Sequence, residues 1–313
     1  MQDLRLKRAY DSLQGLTVGD CFGETYFYGF GSFAGHDKNV ESLIKKRELA
    51  LEPWFWTDDS QMAFSIFAVL RDFGEIEQSA LAASFTERYD TGRGYGSGMH
   101  ELLRRFRNGE NWHEAAPNLF EGNGSWGNGS AMRVAPVGAY FADDLPKVCA
   151  EAEKSAVITH THEEAIVGAI AIAVATALAW KFKEGNFCPT RAEFIDAVLP
   201  YLAESEVRTK TLRARDLNPQ ISVHHAADIL GNGIQISCPD TVPFCLFSAG
   251  ENLDDYEKAL WQTVSVLGDR DTTCAIVGGI VAMYSGVKSI PQNWLEKCEP
   301  IPPWVLKNNS SVL

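Results

Sequence analysis

One stretch of the chain, residues 165–180, contains only apolar and small residues and no charged side chain. Glu163 and Glu164 precede it, and Lys181 follows it. The stretch is shorter than the ~20 residues that a helix needs to cross a bilayer. A helix that is apolar on every side has to be surrounded by other elements. We therefore predict a buried helix in a protein that is several helices thick.

Apolar residues at helical spacing recur elsewhere in the chain. Phe64, Phe67 and Leu70, for example, follow one another at three-residue intervals. Helices are predicted in this way over residues 61–73, 99–107, 254–267 and 274–284. Strong alternating patterns typical of strands are lacking. The sequence therefore predicts an all-α fold, with a single domain over residues 1–300 and a C-terminal tail over residues 301–313.

Composition limits the classes of partner. The chain has 313 residues, 45% of them hydrophobic, which is enough for one large domain or two small ones. Its formal net charge of −13 disfavours nonspecific binding to nucleic acid or to an anionic membrane surface. The seven cysteines include no C-x-x-C pair, and the first residues form no hydrophobic signal. We therefore expect a cytoplasmic protein with neither a disulfide framework nor a zinc ribbon.

Two acidic clusters lie more than two hundred residues apart, and each precedes an apolar run. The first is WTDDS at residues 56–60, and the second is GDRDTT at residues 268–273. Carboxylate and hydroxyl oxygens suit hard cations such as Mg²⁺, Mn²⁺ or Ca²⁺, whereas Zn²⁺ would normally recruit His or Cys. Four carboxylates exceed what one divalent ion needs, so we predict a two-metal site. The alternative is that both clusters are helix N-caps, although a cap needs only one side-chain oxygen.

Three glycine-rich stretches interrupt the helical patterns, at residues 92–98, 122–129 and 231–233. Such loops let a ligand approach the backbone closely, although they are also ordinary helix punctuation. Residues 122–127 spell G-x-G-x-x-G, but no strand or βαβ pattern surrounds them, so the Rossmann interpretation fails. Backbone N–H groups beside Trp126 and Tyr95 suggest instead a phosphate cradle with rings that stack on a base or ribose.

Signatures of other hydrolases are missing. The chain has no H-E-x-x-H, G-x-S-x-G or Walker A sequence, so zincin, α/β-hydrolase and P-loop interpretations lack support. His160, His162 and the pair His224 and His225 are of a kind found more often at helix ends or on the surface than as ligands. His160 keeps some interest because it precedes the long apolar stretch. The cysteines are expected to be small core residues without a catalytic role.

Together these motifs resemble the ADP-ribosylglycohydrolase family over about residues 13–294. The family includes dinitrogenase reductase-activating glycohydrolase and the ADP-ribosyl-acceptor hydrolases. The motifs that occur in the family's order are Gly19-Asp20, residues 56–59, 93–98 and 124–133, Thr159-His160, and residues 231–233, 268–273 and 290–294. The resemblance implies an orthogonal helical bundle around a dinuclear Mg²⁺ or Mn²⁺ site. It also implies hydrolysis of the glycosidic bond between ADP-ribose and a modified acceptor, in the first place a protein side chain such as arginine.

The resemblance also implies roles for particular residues. The implied metal ligands are Thr57, Asp58, Asp59, Asp269, Asp271 and Thr272. The residues implied to hold the phosphates and distal ribose of ADP-ribose are Gly96, Ser97, Gly98, Ser125, Trp126, Gly127, Asn128, Gly129 and His160. Catalysis is assigned to Glu24 and to the metal-bound Asp58 and Asp271.

One position departs from the family's pattern. Many members carry an acidic residue eight positions after the glycine of the Gly-Asp motif, where this chain has Phe27. Glu24 is the nearest carboxylate, and either Glu24 or a metal-bound aspartate is expected to move the proton. Two alternatives for the function stay open. One is a different conjugate, with ADP-ribose on serine, on nucleic acid or in a free derivative, and the other is an inactive ADP-ribose-binding or structural member of the fold.

Overall fold

The structure, a computed structural model, describes residues 4–28 and 36–306. Within those ranges the backbone forms helices, short 3-10 turns and two isolated bridges but no β-strand, which confirms the all-α class. The α-helices are α1 (Leu4–Tyr28), α2 (His36–Lys46), α3 (Asp58–Phe73), α4 (Gln78–Arg88), α5 (Ser97–Arg107), α6 (Trp112–Ala115), α7 (Gly129–Met132), α8 (Ala135–Tyr140), α9 (Leu145–Val157), α10 (Glu163–Glu184), α11 (Arg191–Val198), α12 (Glu206–Asp216), α13 (Val223–Leu230), α14 (Cys238–Glu251), α15 (Tyr256–Val264), α16 (Arg270–Ser285), α17 (Gln292–Lys297) and α18 (Pro303–Leu306). The four further helices predicted from spacing correspond to α3, α5, α15 and α16.

Helix α10 contains the long apolar stretch and lies in the core. It packs against α8, α9, α14 and α16, among other helices. At 22 residues and a mean hydropathy of 2.0 it is long and apolar enough to cross a membrane, so length does not decide its environment. Burial decides it, because 72% of the most apolar 18-residue segment of the helix is enclosed by the protein, as expected for a core helix.

Helices α1 and α16 approach each other closely because glycines form the contact. Gly15, Gly19 and Gly23 recur every four residues and therefore share one face of α1. A Cβ atom at these positions would lie 2.5, 2.1 and 2.2 Å from the carbonyl oxygens of Gly278, Cys274 and Arg270. No side chain larger than hydrogen fits there. This contact places the middle of α1 against the start of α16.

An aromatic cluster fixes the segment that leads into α3. Phe22 stacks on Trp294 with ring centroids 4.3 Å apart, and Trp54 packs edge-on against both rings. The Trp54 backbone N–H donates to the Lys297 carbonyl at 2.8 Å, and the Glu299 N–H donates to the Trp54 carbonyl at 2.8 Å. The segment before α3 is thus held between α1 and the chain after α17.

Residues just beyond the predicted domain end at residue 300 also pack on the bundle. Val305 in α18 is fully buried, and the Arg71 guanidinium of α3 donates to the Trp304 carbonyl at 3.0 Å. The boundary between domain and tail stays a prediction, and residues 307–313 lie outside the described ranges.

Candidate active site

The two acidic clusters meet in space at the starts of two helices. Thr57 is the N-cap residue of α3, and Asp269 occupies the same position at α16. The Thr272 hydroxyl donates to Oδ2 of Asp59 at 3.4 Å, across more than two hundred residues of chain. The sequence clusters therefore form one acidic group.

Capping explains only part of this arrangement. The Thr57 hydroxyl accepts the Asp59 N–H at 3.3 Å, as an N-cap does. Asp269 makes no such bond, because its Oδ2 instead accepts from the Asn128 side-chain amide at 2.7 Å. The carboxyls of Asp269 and Asp271 also lie within hydrogen-bonding distance of each other. The acidic group therefore contains more carboxylates than capping the two helices requires.

Asp20 is a site residue to which the sequence argument assigned no role. Its fully buried carboxylate accepts four hydrogen bonds at the start of α3, from the N–H groups and hydroxyls of the N-cap residue Thr57 and of Ser60, at 2.5–3.1 Å. Burial, together with the nearby Asp271, raises the pKa of Asp20 to about 7. The Gly-Asp pair at residues 19–20 was visible in the sequence, but its partners depend on the contact between α1 and α3. Asp20 anchors the start of α3 and orients Thr57.

The acidic group is poor in positive partners. Burial and the neighbouring Asp271 raise the pKa of Asp58 and of Asp59 well above the usual range, and burial raises that of Asp271 itself. One oxygen of Asp59 and one of Asp271, Oδ1 in each case, are buried without a hydrogen-bond partner. Such buried acceptors are costly unless a cation or donor reaches them.

The donor set fits a hard divalent cation. Every candidate ligand in the two clusters offers oxygen, which Mg²⁺ and Mn²⁺ prefer. In the described ranges, no three His, Cys, Asp or Glu side chains already lie in the arrangement of a finished metal site. Binding an ion would therefore draw these carboxylates together, and it would satisfy the unpartnered oxygens of Asp59 and Asp271.

Stability of the metal-free protein should fall as the pH rises from 7 to 8. Burial, with Asp271 next, raises the pKa of Glu24 to about 9, so its folded-state pKa exceeds its unfolded-state value. The native state then binds more protons than the unfolded state, and the free energy of unfolding decreases with pH until about pH 9. His160 acts in the opposite direction, but only below its ordinary pKa of 6.5. Urea unfolding in a chelator tests this, and stability that is flat or rising between pH 7 and 8 would contradict it.

The predicted substrate residues line one cleft beside the acidic group. Its volume is about 340 Å³. The lining includes Gly96, Ser97, Gly98, Ser125, Trp126, Gly127, Asn128, Gly129 and His160, and also Asp58, Asp269, Asp271 and Thr272. The structure therefore brings all nine predicted substrate residues together, and their contacts with ADP-ribose stay a prediction.

The third glycine stretch, residues 231–233, supports the site from behind instead of lining the cleft. The Asp269 N–H donates to the Asn232 carbonyl at 3.1 Å. A Cβ atom at Gly233 would lie 2.6 Å from Cβ of Asp269. The next residues pair with the second glycine stretch, since the Cys238 N–H donates to the Trp126 carbonyl at 3.0 Å. This stretch thus places Asp269 against its neighbours.

Aromatic rings at the cleft differ from the sequence prediction. Trp126 lines the cleft and is 53% exposed, as a stacking surface requires. Tyr95 is buried, and its hydroxyl donates to Oε1 of Gln61 at 2.8 Å, so its predicted stacking role is wrong. Phe120 lines the same cleft and is 57% exposed. It lies outside any motif, which is why sequence reasoning missed it.

His160 and His162 have different roles. His162 caps α10, because its Nδ1 accepts the Glu164 N–H at 3.2 Å, as expected for a helix-end histidine. His160 is buried at the floor of the cleft and bonds through Nδ1 to the Thr159 hydroxyl at 2.7 Å. Burial, reinforced by Arg133, lowers the pKa of His160 to about 3, so the ring is neutral.

A second cavity of about 750 Å³ borders the other side of the acidic group. Its lining includes Glu24, Phe27, Thr57, Asp90, Arg93 and Glu299, and it shares Gly94, Asp269 and Asp271 with the glycine-rich cleft. Arg93 donates to both carboxylate oxygens of Glu299 at 2.7 and 2.9 Å and lies over the Trp56 ring. Glu24 and Phe27 thus face the same cavity, one with a carboxyl and the other with a ring.

Comparison with known proteins identifies the family. The profile of the ADP-ribosylglycohydrolase family matches residues 1–310. The chain is 27% identical to ADP-ribosylhydrolase ARH3 of Mus musculus over an alignment of 334 positions. The alignment covers 94% of this chain and 88% of that protein. It is 22% identical to ADP-ribosylarginine hydrolase Tri1 of Serratia proteamaculans, covering 93% of this chain and 75% of that protein.

A solved structure agrees on the fold. A chain of an ADP-ribosylglycohydrolase-related protein complex superposes with a TM-score of 0.61 at 22% identity, covering 95% of this chain and 93% of that one. The sequence match over nearly the whole length, the all-α fold and the order of the motifs agree with one another. The chain therefore belongs to the ADP-ribosylglycohydrolase family and is a glycohydrolase of ADP-ribose conjugates.

Proposed function

We propose that the protein is a metal-dependent ADP-ribosylhydrolase that releases ADP-ribose from modified arginine side chains of proteins. The position of the acidic group carries this proposal. Gly94, Asp269 and Asp271 line both cavities, so a bond cleaved beside these carboxylates would have one product on each side. The glycine-rich cleft takes ADP-ribose, and the second cavity takes the acceptor.

The glycine-rich cleft is suited to a diphosphate because a helix begins in it. Helix α5 starts at Ser97, and its N-cap residue Gly96 makes no side-chain capping bond. The first N–H groups of α5 are thus left for a ligand, and the helix dipole favours negative charge there. The exposed rings of Trp126 and Phe120 at the same cleft offer apolar surface to the base.

Replacing Gly127 with Val should weaken ADP-ribose binding and leave the fold intact. A Cβ atom at Gly127 would lie 3.2 Å from the Ser125 hydroxyl and 3.3 Å from Nε2 of His160, so the added bulk presses on the cleft lining. We expect a loss of about tenfold in affinity, the size of one or two hydrogen bonds. Calorimetry with ADP-ribose measures it, and unchanged affinity would count against the assignment of this cleft.

Two Mg²⁺ or Mn²⁺ ions are the proposed cofactors. Their proposed ligands are Thr57, Asp58, Asp59, Asp269, Asp271 and Thr272. When bound, such ions would act as Lewis acids and would lower the pKa of a coordinated water. The protein's own part is to fix the carboxylates, through Asp20 at α3 and through Asn128 at α16, and to enclose the sugar between the two cavities.

Glu24 is the proposed group for proton transfer. It lines the acceptor cavity beside Asp271, and its raised pKa of about 9 keeps a proton on it at neutral pH in the metal-free protein. Bound cations would offset the charge of Asp271 and lower this pKa from its metal-free value. In that position the Glu24 carboxyl is placed to give its proton to the leaving nitrogen as the glycosidic bond breaks.

Glu24→Gln should lower kcat by about 10²–10⁴-fold, the usual range for a general acid or base. Metal affinity should be preserved, because Glu24 is not among the proposed ligands. Steady-state kinetics at saturating Mg²⁺ and a parallel metal titration separate the two effects. A negligible loss of kcat would mean that a metal-bound aspartate, and not Glu24, moves the proton.

The charge of the second cavity favours a cationic acceptor. Apart from the proposed metal ligands and Glu24, which carries a proton in the metal-free protein, its charged side chains are Asp90, Glu299 and one cation, Arg93, which lies 3.7 Å from Asp90 and 2.7 Å from Glu299. The remaining excess of one carboxylate suits a guanidinium, which binds carboxylates through parallel hydrogen bonds. The relative Tri1 is named an ADP-ribosylarginine hydrolase, which supports the same choice.

The deciding experiment is release of ADP-ribose from a panel of arginine-, serine- and nucleic-acid-linked substrates with and without Mg²⁺ or Mn²⁺. We expect metal-dependent release, fastest from ADP-ribosylarginine. Faster release from another conjugate would overturn the arginine assignment. Tight ADP-ribose binding with no turnover on any substrate would instead indicate an inactive binding protein.

The proposed location of the protein is the cytoplasm. All seven cysteines are free thiols, which supports this location.

A further inference from the structure

Two buried residues behind the glycine-rich cleft control the ring of His160. Arg133 and Thr159 are both fully buried, and His160 is 4% exposed. Arg133 Nη2 donates to Oγ1 of Thr159 at 2.8 Å, and that same oxygen lies 2.7 Å from Nδ1 of His160. The three side chains form one hydrogen-bonded chain that ends at the cleft.

The direction of the hydrogen bonds follows from the chemistry of the donors. A guanidinium has only donors, so Oγ1 of Thr159 accepts from Arg133. The hydroxyl then has one hydrogen to donate, and Nδ1 of His160 is its other hydrogen-bond contact in the described ranges. If Nδ1 donated instead, the hydrogen of this buried hydroxyl would have no acceptor among the described residues, which is costly. Nδ1 therefore accepts, and a neutral imidazole in this arrangement carries its proton on Nε2.

Nε2 of His160 faces the glycine loop that lines the cleft. A Cβ atom would lie 2.9 Å from Nε2 at Gly129 and 3.3 Å from it at Gly127. Among the described residues, Nε2 has no hydrogen-bond partner, whereas Nδ1 is satisfied by Thr159. The ring thus presents an unpaired N–H group to the cleft.

We propose that Arg133 and Thr159 are positioning residues that hold His160 as the neutral Nε2–H tautomer, so that it donates a hydrogen bond to an oxygen of the ligand. This inference rests on the proposed function, in which the ligand is ADP-ribose. Arg133 contributes twice, because it orients Thr159 and because its buried charge disfavours a second proton on the ring. Arg133 also donates to the Ser155 carbonyl and to the Met62 sulfur, and these two bonds hold the guanidinium in place.

The tautomer can be read from the ¹⁵N chemical shifts of the imidazole in the ligand-free full chain, with His160→Gln used to assign the signal. We expect a single Nε2-protonated tautomer in the unmodified protein. Thr159→Val is nearly isosteric but removes the donor to Nδ1, so both tautomers should become populated. Thr159→Ser should restore the single tautomer. Thr176→Val is the matched control, because it removes another fully buried hydroxyl, which donates to the Ile172 carbonyl within α10.

Arg133→Met tests the other end of the hydrogen-bonded chain of three side chains. Without the guanidinium, nothing fixes the direction of the Thr159 hydroxyl, which can then turn to accept from Nδ1–H, so both tautomers should again appear. If this variant fails to fold, the Thr159 pair still tests the inference. A proton on Nδ1 in the unmodified protein, or a tautomer that Thr159→Val leaves unchanged, would overturn it.

Affinity for ADP-ribose gives the functional readout. Thr159→Val should weaken binding in proportion to the Nε2–H tautomer that is lost, about twofold when the two tautomers are equally populated, while Thr159→Ser and Thr176→Val should bind like the unmodified protein. A changed tautomer with unchanged affinity would contradict the donation to ligand. Failure of the unmodified protein to bind ADP-ribose at all would instead count against the proposed function. The tautomer is measured without ligand, so that measurement would still test the roles of Arg133 and Thr159.

Discussion

Replacing Asp271 with Asn should lower turnover by more than about 100-fold at saturating metal, beyond the 10–100-fold typical of residues that only support metal ligands. Asn keeps the size and hydrogen-bonding capacity of the side chain but removes its charge. The metal-free protein should not lose stability, because Asp271 carries a buried oxygen without a partner and lies among other carboxylates. Asp58→Asn should behave in the same way.

Asp255→Asn is the matched control for this prediction. Asp255 is a true N-cap of α15, where its side chain accepts the Lys258 N–H, and Asn caps a helix about as well as Asp. The control should therefore keep both stability and turnover. Thermal unfolding and ADP-ribose release are measured on all three variants. Lower stability of the Asp271 variant with normal turnover per folded molecule would mean that the clusters serve only as caps.

Replacing Gly19 with Ala should destabilise the fold by about 3 kcal/mol or more, the upper range for overpacked positions. An Ala in a helix interior normally stabilises by up to about 1 kcal/mol relative to Gly. Here the new Cβ would lie 2.1 Å from the Cys274 carbonyl oxygen, and backbone on both sides leaves no room to relax except by separating α1 from α16. Separation would also move Asp20 away from the start of α3.

Gly96→Ala serves as the control for stability alone. A Cβ atom at Gly96 meets nothing within 4 Å, and its φ of −65° suits any residue. Because Gly96 is the N-cap residue of α5 and Ala is a poor N-cap, the free energy of unfolding of this variant should fall by about 1 kcal/mol at most. Chemical denaturation of the two variants decides the matter, and equal stabilities would refute the close contact between α1 and α16.

The helices and the acidic clusters could be predicted because their signals are local. The three-residue spacing of Phe64, Phe67 and Leu70 predicts a helix where α3 lies, although residues 58–70 of that helix are buried on every side. The oxygen-rich composition of the clusters predicts ligands for a hard cation. The structure brings Asp59 and Thr272 together, and the metal site that the two clusters are expected to form stays a prediction.

What the sequence could not provide are contacts made across the chain. Asp20 matters because four donors at the start of α3 surround it, and no spacing in the sequence encodes that contact. Tyr95 lies inside a glycine-rich stretch and yet is buried against Gln61, so its motif misled the prediction. Phe120 carries no motif, and its place at the cleft follows from the fold alone.

The most direct test of the account is anomalous diffraction from a crystal soaked in Mn²⁺. We expect two anomalous peaks, ~3.5–4 Å apart as in two-metal sites generally, between the starts of α3 and α16. Their protein ligands should come from Thr57, Asp58, Asp59, Asp269, Asp271 and Thr272. Saturating Mn²⁺ with no peak between these helices, or with the two clusters turned away from each other, would contradict it.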